Sequence, residues 1–162
     1  MAGLYFHIPF CKRVCAYCDF YKSADLRPMK AVVEAMHDEL RREAGFLPAE
    51  QLRTIYFGGG TPSLLDPADA ARLIAAAQPL PGAEITLEAN PETVTEDSLR
   101  AFREAGVNRI SFGVQSARDS QLKTLGRPHT AKQARAAFAA ARRAGFENIS
   151  GDIMLALPHY TQ

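Results

Sequence analysis

A chain of 162 residues is about one domain, long enough to bury a core. Hydrophobic residues make up 47% and charged residues 23%, which excludes a disordered or fibrous chain and fits a soluble globular one. The net charge of +1 gives no support for a nucleic-acid partner, and the apolar runs are too short to span a bilayer. The opening "MAGLYFHIPFC" lacks a basic region followed by a long apolar run, so it does not read as a secretory signal and a cytoplasmic location is the default. Clustered thiols in that compartment point to metal or catalysis rather than disulfides.

Short β-like runs alternate with helical runs. Residues 3–8 predict a first strand. Met29, Val32, Val33, Met36 and Leu40 fall at helical spacing and make one apolar stripe. Residues 54–57 predict a second strand. Asp66 and Pro67 resemble an N-cap and a first helical position, opening a helix over 67–78. A third strand follows at 84–89. The next helix, 96–105, starts after Thr95 and stops at Gly106. A fourth strand is expected at 108–115. Thr130 and Gln133 form a capping box for helix 131–144, which Gly145 ends. A fifth strand is expected at 148–155. Strands alternating with helices imply parallel β/α units, and there is no internal repeat or linker.

Parallel strands covered by helices are usually apolar on both faces. Here they alternate. Ile110, Phe112 and Val114 oppose Arg109, Ser111, Gly113 and Gln115. Ile85 and Leu87 oppose Thr86 and Glu88, and Ile149 and Ile153 oppose Asn148, Ser150 and Asp152. Helices would cover the apolar faces, and the polar faces would converge on a polar interior. Glu88, Gln115 and Asp152 each sit near a strand's C-terminal end, where β/α barrels keep their sites. Capping or turn roles are the plainer reading of each.

All three cysteines, Cys11, Cys15 and Cys18, lie in "CKRVCAYC". Thiolates are soft ligands for zinc, copper(I) or iron–sulfur clusters. Structural zinc wants four protein ligands, and His7 is the available fourth. A loop with three thiolates suits a 4Fe–4S cluster with one iron left open to a small molecule, since the usual cluster takes four cysteines. "FGGGTPS" (57–63) follows the second strand, and its N–H and carbonyl groups are candidates for holding an amino-acid-like ligand. It lacks the P-loop lysine and the full dinucleotide fingerprint, which argues against phosphate binding.

The C-x3-C-x2-C loop after a first strand, with Tyr17 before the last cysteine, resembles the signature of the radical SAM superfamily. The resemblance implies a 4Fe–4S cluster on Cys11, Cys15 and Cys18, with S-adenosylmethionine (SAM) chelating the fourth iron and being cleaved by an electron from the cluster. It also implies a partial β/α barrel of parallel strands with outer helices. "YFHIPFC", "CAYCDF", "GGGTPS", "LEANPE", "SFGVQS", "LGRPHT" and "DIMLALP" occur in this order and together resemble the oxygen-independent coproporphyrinogen III oxidase-like family nearly end to end. That resemblance places SAM contacts on Tyr5, Tyr17, Gly60, Thr61, Pro62, Glu88, Gln115, Arg127 and Asp152, and assigns no catalytic side chain.

The family divides into true oxidases and HemW-type heme chaperones. The oxidases resemble C-x3-C-x2-C-x-C, and Phe20 stands where their additional cysteine falls. The resemblance therefore implies a heme-binding chaperone that delivers heme to acceptor proteins, with an electron donor and at most transient membrane contact. The alternative is the oxidase, a radical decarboxylation in porphyrin biosynthesis. Ala156 departs from the family's usual G-L-P, as do the residues after it. Five strands against the family's six imply that 1–162 is the N-terminal part of the core, the sixth unit and a C-terminal domain being expected beyond it. His37, His129 and His159 are read as surface or loop histidines rather than heme ligands.

Overall fold

The structure, a computed structural model, describes residues 2–43, 45 and 52–157. Strands β1 (Ala2–Ile8), β2 (Leu52–Gly59), β3 (Glu84–Ala89), β4 (Arg109–Gln115) and β5 (Asn148–Ile153) form one parallel sheet. Their spatial order is their order in the chain. With no reversal of strand order the sheet has no switch point and winds one way, as a barrel does. Helices α1 (Met29–Arg42), α2 (Pro67–Ala77), α3 (Glu96–Glu104), α4 (Asp119–Thr124) and α5 (Ala131–Arg143) fall between the strands. Among the described residues no helix is long and apolar enough to cross a membrane.

Local chemistry sets the helix ends. Asp66 accepts from the Ala68 N–H, and Pro67 starts α2. Thr95 and Thr130 form capping boxes with Ser98 and Gln133. The buried stripe of α5 is Ala131, Ala134, Ala137 and Ala141, small residues that let this helix lie close to the sheet. Phe57, Leu87, Ile110 and Phe112 fill the layer between sheet and helices and are fully buried, each contributing about 2–3 kcal/mol by leaving water. The α1 stripe packs on this core through Val33, with Met29, Val32, Met36 and Leu40 around it.

The fifth strand and the segment before α5 depart from the sequence reading. The fifth strand ends at Ile153, not 155. Ile153 itself, the last residue of this edge strand, is 62% exposed, although Ile149 on the same face packs against the core. The segment 119–124 forms a short helix that the sequence reading passes over.

His129 is not a surface residue. It is buried, with Nδ1 at 3.2 Å from Glu92 Oε2 and Nε2 at 3.1 Å from the Val114 carbonyl. Both neighbours are acceptors when Glu92 is ionised, so the pair clamps the loop after α4 onto the end of β4. Its ring nitrogens are engaged, which leaves none for heme iron. Burial pushes the Glu92 carboxyl up, but the His129 hydrogen bond, a backbone bond and the charges of Arg127 and His129 outweigh it and hold the carboxyl below its ordinary value. His37 lies half-buried on α1, and His159 falls outside the described residues.

Ala156 has φ of +54°, the left-handed region that suits glycine. The departure from the glycine usual in the family therefore costs backbone strain. Ala156→Gly is expected to raise stability by about 0.5–1 kcal/mol, read as a shift of the urea midpoint. Glu92→Gln is expected to cost about 1–2 kcal/mol by replacing a charge-assisted hydrogen bond to buried His129 with a neutral one. A depressed carboxyl gives stability that is present above the unfolded value, near 4.3, and is lost as pH falls through the folded one. Urea titrations across that range should show a steeper acid loss in the wild type than in Glu92→Gln.

Candidate cluster and SAM cleft

The polar faces of the strands do converge. Across the sheet, Tyr5 pairs with Tyr56, Tyr56 with Thr86, Thr86 with Arg109, and Glu88 with Ser111. At their C-terminal ends lies a cleft whose walls come from every strand's end except that of β1, whose place is taken by the cysteine loop. Every cofactor-site residue expected from the sequence lines it except Tyr5 and Pro62. Tyr5 stands aside, stacked on Tyr56 at 6.0 Å with its hydroxyl 3.3 Å from His7 Nδ1. Pro62 is buried and starts a one-turn 3-10 helix.

Two backbone hydrogen bonds cross the neck of the cysteine loop. The Cys11 N–H donates to the Ser23 carbonyl at 3.0 Å, and the Ser23 N–H to the Pro9 carbonyl at 2.6 Å. Within the loop the Cys18 N–H reaches the Cys15 carbonyl, and Lys22 Nζ donates to the Cys18 and Phe20 carbonyls. The glycine run lies directly behind it. The Gly60 N–H donates to the Ile8 carbonyl at 2.8 Å and the Thr61 N–H to the Phe10 carbonyl at 2.7 Å. The Gly59 N–H donates to Glu88 Oε2 at 3.2 Å. The N–H groups of this run are thus engaged within the chain, and polar contacts to a ligand fall to its carbonyl oxygens. A Cβ on Gly60 would lie 2.7 Å from the Phe10 carbonyl oxygen. Gly59, with φ of +109°, turns the chain into this contact.

Side chains link the thiols to the rest of the cleft. Thr61 Oγ1 donates to Cys11 Sγ at 3.5 Å. Arg127 Nη1 donates to Cys15 Sγ at 3.8 Å, and its Nη2 to Asn90 Oδ1 at 2.5 Å and to the Gly113 carbonyl at 2.9 Å. Arg127 Nε is buried with no hydrogen-bond partner, an open donor on the cleft wall. Glu88 accepts from the Tyr56 hydroxyl at 2.8 Å, and Asp152 from Ser111 at 3.4 Å. Gln115, at φ of +65°, is a strained residue at the end of β4 whose carbonyl accepts from the Met154 N–H, the kind of outlier that collects at functional sites.

Burial pushes the Cys11 thiol up, with the neighbouring thiols adding to it and the Thr61 hydrogen bond opposing. Burial likewise raises the Tyr17 phenol, against the charge of Arg127. Burial and then the Glu88 hydrogen bond push Tyr56 far up, so its hydroxyl stays a donor to that carboxylate.

These residues fit a multi-iron cluster better than a single ion. Among the described residues no three histidine, cysteine or carboxylate side chains converge on one ion position. His7 Nε2 is taken by the Tyr21 carbonyl at 2.9 Å and Nδ1 by Tyr5, so the zinc arrangement with His7 as fourth ligand is not formed. The thiols instead line one cleft, as ligands to different irons of a cluster must. Sequence reasoning set Ser111 and Gly113 on the converging polar face without naming them as site residues, and missed Asn90. The period-two spacing of Glu88 with Asn90, and of Arg109 with Ser111 and Gly113, is the signal that finds them.

Comparison with known proteins agrees with this site. Residues 5–162 match the radical SAM superfamily model, and the chain belongs to that superfamily. It is 40% identical over 162 residues to the heme chaperone HemW of Lactococcus lactis, covering 97% of this chain and 42% of that protein. It is 36% identical to an oxygen-independent coproporphyrinogen III oxidase of Bradyrhizobium diazoefficiens, covering 99% of this chain and 37% of that one. Among solved structures it superposes on coproporphyrinogen III oxidase (HemN) from Escherichia coli, a radical SAM enzyme, with a TM-score of 0.86 at 30% identity, over 98% of this chain and 38% of that one. The chain thus spans less than half the length of these relatives.

The Gly60 contact is testable without any cofactor. Gly60→Ala is expected to cost about 1–3 kcal/mol by forcing a methyl into backbone. Gly45→Ala, where a Cβ meets nothing within 4 Å, should be close to neutral in the same urea titration.

Proposed function

We propose that this chain is the radical SAM core of a heme chaperone, holding a 4Fe–4S cluster on Cys11, Cys15 and Cys18 and SAM in the cleft beside it, and acting in the cytoplasm to deliver heme to acceptor proteins. The observation that carries the cofactor reading is the convergence of the three thiols with Arg127, Glu88, Gln115 and Asp152 on one cleft. When bound, the cluster supplies a one-electron reductant beside SAM. The chain's own part is to bind and orient. Carbonyls of the glycine run are placed for the amino group of SAM, and the open Arg127 Nε for its carboxylate. Glu88 and Asp152 are acceptors on the strands, Gln115 adds an amide, and Tyr17 closes the mouth from the cysteine loop. Tyr5 and Pro62 act from behind, through Tyr56 and the 3-10 turn. An electron donor must approach from solvent.

Phe20 favours the chaperone. It stands where the oxidases carry a further cysteine, and it is 67% exposed on the cleft, so it is not there to fill the core. The likeness to HemW proteins supports the same reading. The likeness to coproporphyrinogen oxidases keeps the enzyme as the second reading.

Anaerobic reconstitution tests the site. About four irons with matching sulfide per chain, and an EPR change when SAM is added to the reduced protein, are expected, and Cys15→Ser should lose the cluster while keeping its fold. Stoichiometric zinc without sulfide would sink the cluster reading. The full-length protein then separates the two functions: the chaperone retains heme and leaves coproporphyrinogen unchanged under anaerobic conditions, whereas the oxidase converts it.

A further inference from the structure

We infer that Asn90 is a positioning residue that aims the Thr61 hydroxyl at the Cys11 sulfur and, through the same amide, holds Arg127 against Cys15, so that Asn90 tunes the cluster from a distance. The inference rests on the cluster reading above.

The argument begins with the polarity of the amide. A guanidinium can only donate, so the Asn90 atom 2.5 Å from Arg127 Nη2 must be its oxygen. The NH2 group therefore faces Thr61 and donates to Thr61 Oγ1 at 3.0 Å. A hydroxyl has one proton. With its oxygen already accepting from Asn90, Thr61 directs that proton to Cys11 Sγ, 3.5 Å away. The result is a directed chain from Arg127 through Asn90 and Thr61 to Cys11, with a second branch from Arg127 to Cys15.

Asn90 is built to hold this position. Its carbonyl accepts from both the Thr93 N–H at 2.9 Å and the Thr93 hydroxyl at 2.8 Å, which fixes the backbone after β3. Opposite it, β4 carries Gly113, where a Cβ would come within 3.0 Å of Asn90 Oδ1 and 3.1 Å of Gln115 Nε2. The strand is bare where the amide sits. Hydrogen bonds to ligand sulfurs draw electron density from the thiolate and stabilise the more negative, reduced cluster, raising its potential.

The test is an EPR-monitored reductive titration of the reconstituted full-length protein and its Thr61→Val, Thr61→Ser, Asn90→Ala and Asn90→Ala/Thr61→Val variants. Thr61→Val and Asn90→Ala should each lower the midpoint, and Thr61→Ser, which keeps the hydroxyl, should restore it. The double variant should fall short of the sum of the single shifts, since both changes break one chain. A wild-type midpoint in Asn90→Ala at full iron content, or strictly additive shifts, would overturn the inference. Should Asn90→Ala not fold, an unmoved midpoint in Thr61→Val overturns it equally. A wild-type protein that takes up no cluster would instead fell the preceding reading, and this one with it.

Discussion

The contact on which the site depends is backbone against backbone: the end of β2 laid along the segment that leaves β1. The Gly60 and Thr61 N–H groups bond the Ile8 and Phe10 carbonyls, and only a residue without a side chain fits at Gly60. This one approach places Thr61 beside Cys11 and puts the cysteine loop over the mouth of the sheet. Three glycines in a row thus serve packing before they serve a ligand. Their N–H groups are used to build the wall, and only what the wall leaves over can be offered to a bound molecule.

The second organising feature is the division of labour between the two faces of the sheet. One face is aromatic and aliphatic and disappears under the helices. The other carries Tyr56, Thr86, Glu88, Arg109, Ser111 and Asp152, tied to one another across the strands. Such a face is costly to bury unless its polar groups find partners. Here they largely find each other, and among the described residues the buried side-chain atom left without a partner is Nε of Arg127, on the loop after α4. The buried His129–Glu92 pair fixes the loop that carries this arginine, so the position of that atom is itself determined.

Much of this was legible beforehand, for physical reasons. Alternation in residues 84–89, 108–115 and 148–154 reports which face of a strand is wet, and it led to Glu88, Gln115 and Asp152 without any structural knowledge. Caps at Asp66, Thr95 and Thr130 were readable because they depend on neighbours in sequence. What depends on distant neighbours was not. His129 reads as a loop residue until Glu92 and the Val114 carbonyl are brought to it. Tyr5 lies on the polar face, and its stacking on Tyr56 across the sheet is a contact that no local pattern reports. Helix α4 is six residues long and lacks a side-chain cap, so neither periodicity nor capping announces it. The Asn90 link joins residues 37 and 29 positions apart, beyond the reach of any local pattern.

The neck of the cysteine loop carries a consequence for the protein's life in air. Its two crossing backbone bonds, between Cys11 and Ser23 and between Ser23 and Pro9, involve no sulfur. The bonds that close the neck therefore do not depend on whether a thiol is free, ligated or oxidised. Oxidation of a thiol leaves the donors and acceptors of both bonds intact, so a chemical change inside the loop need not open it at its base.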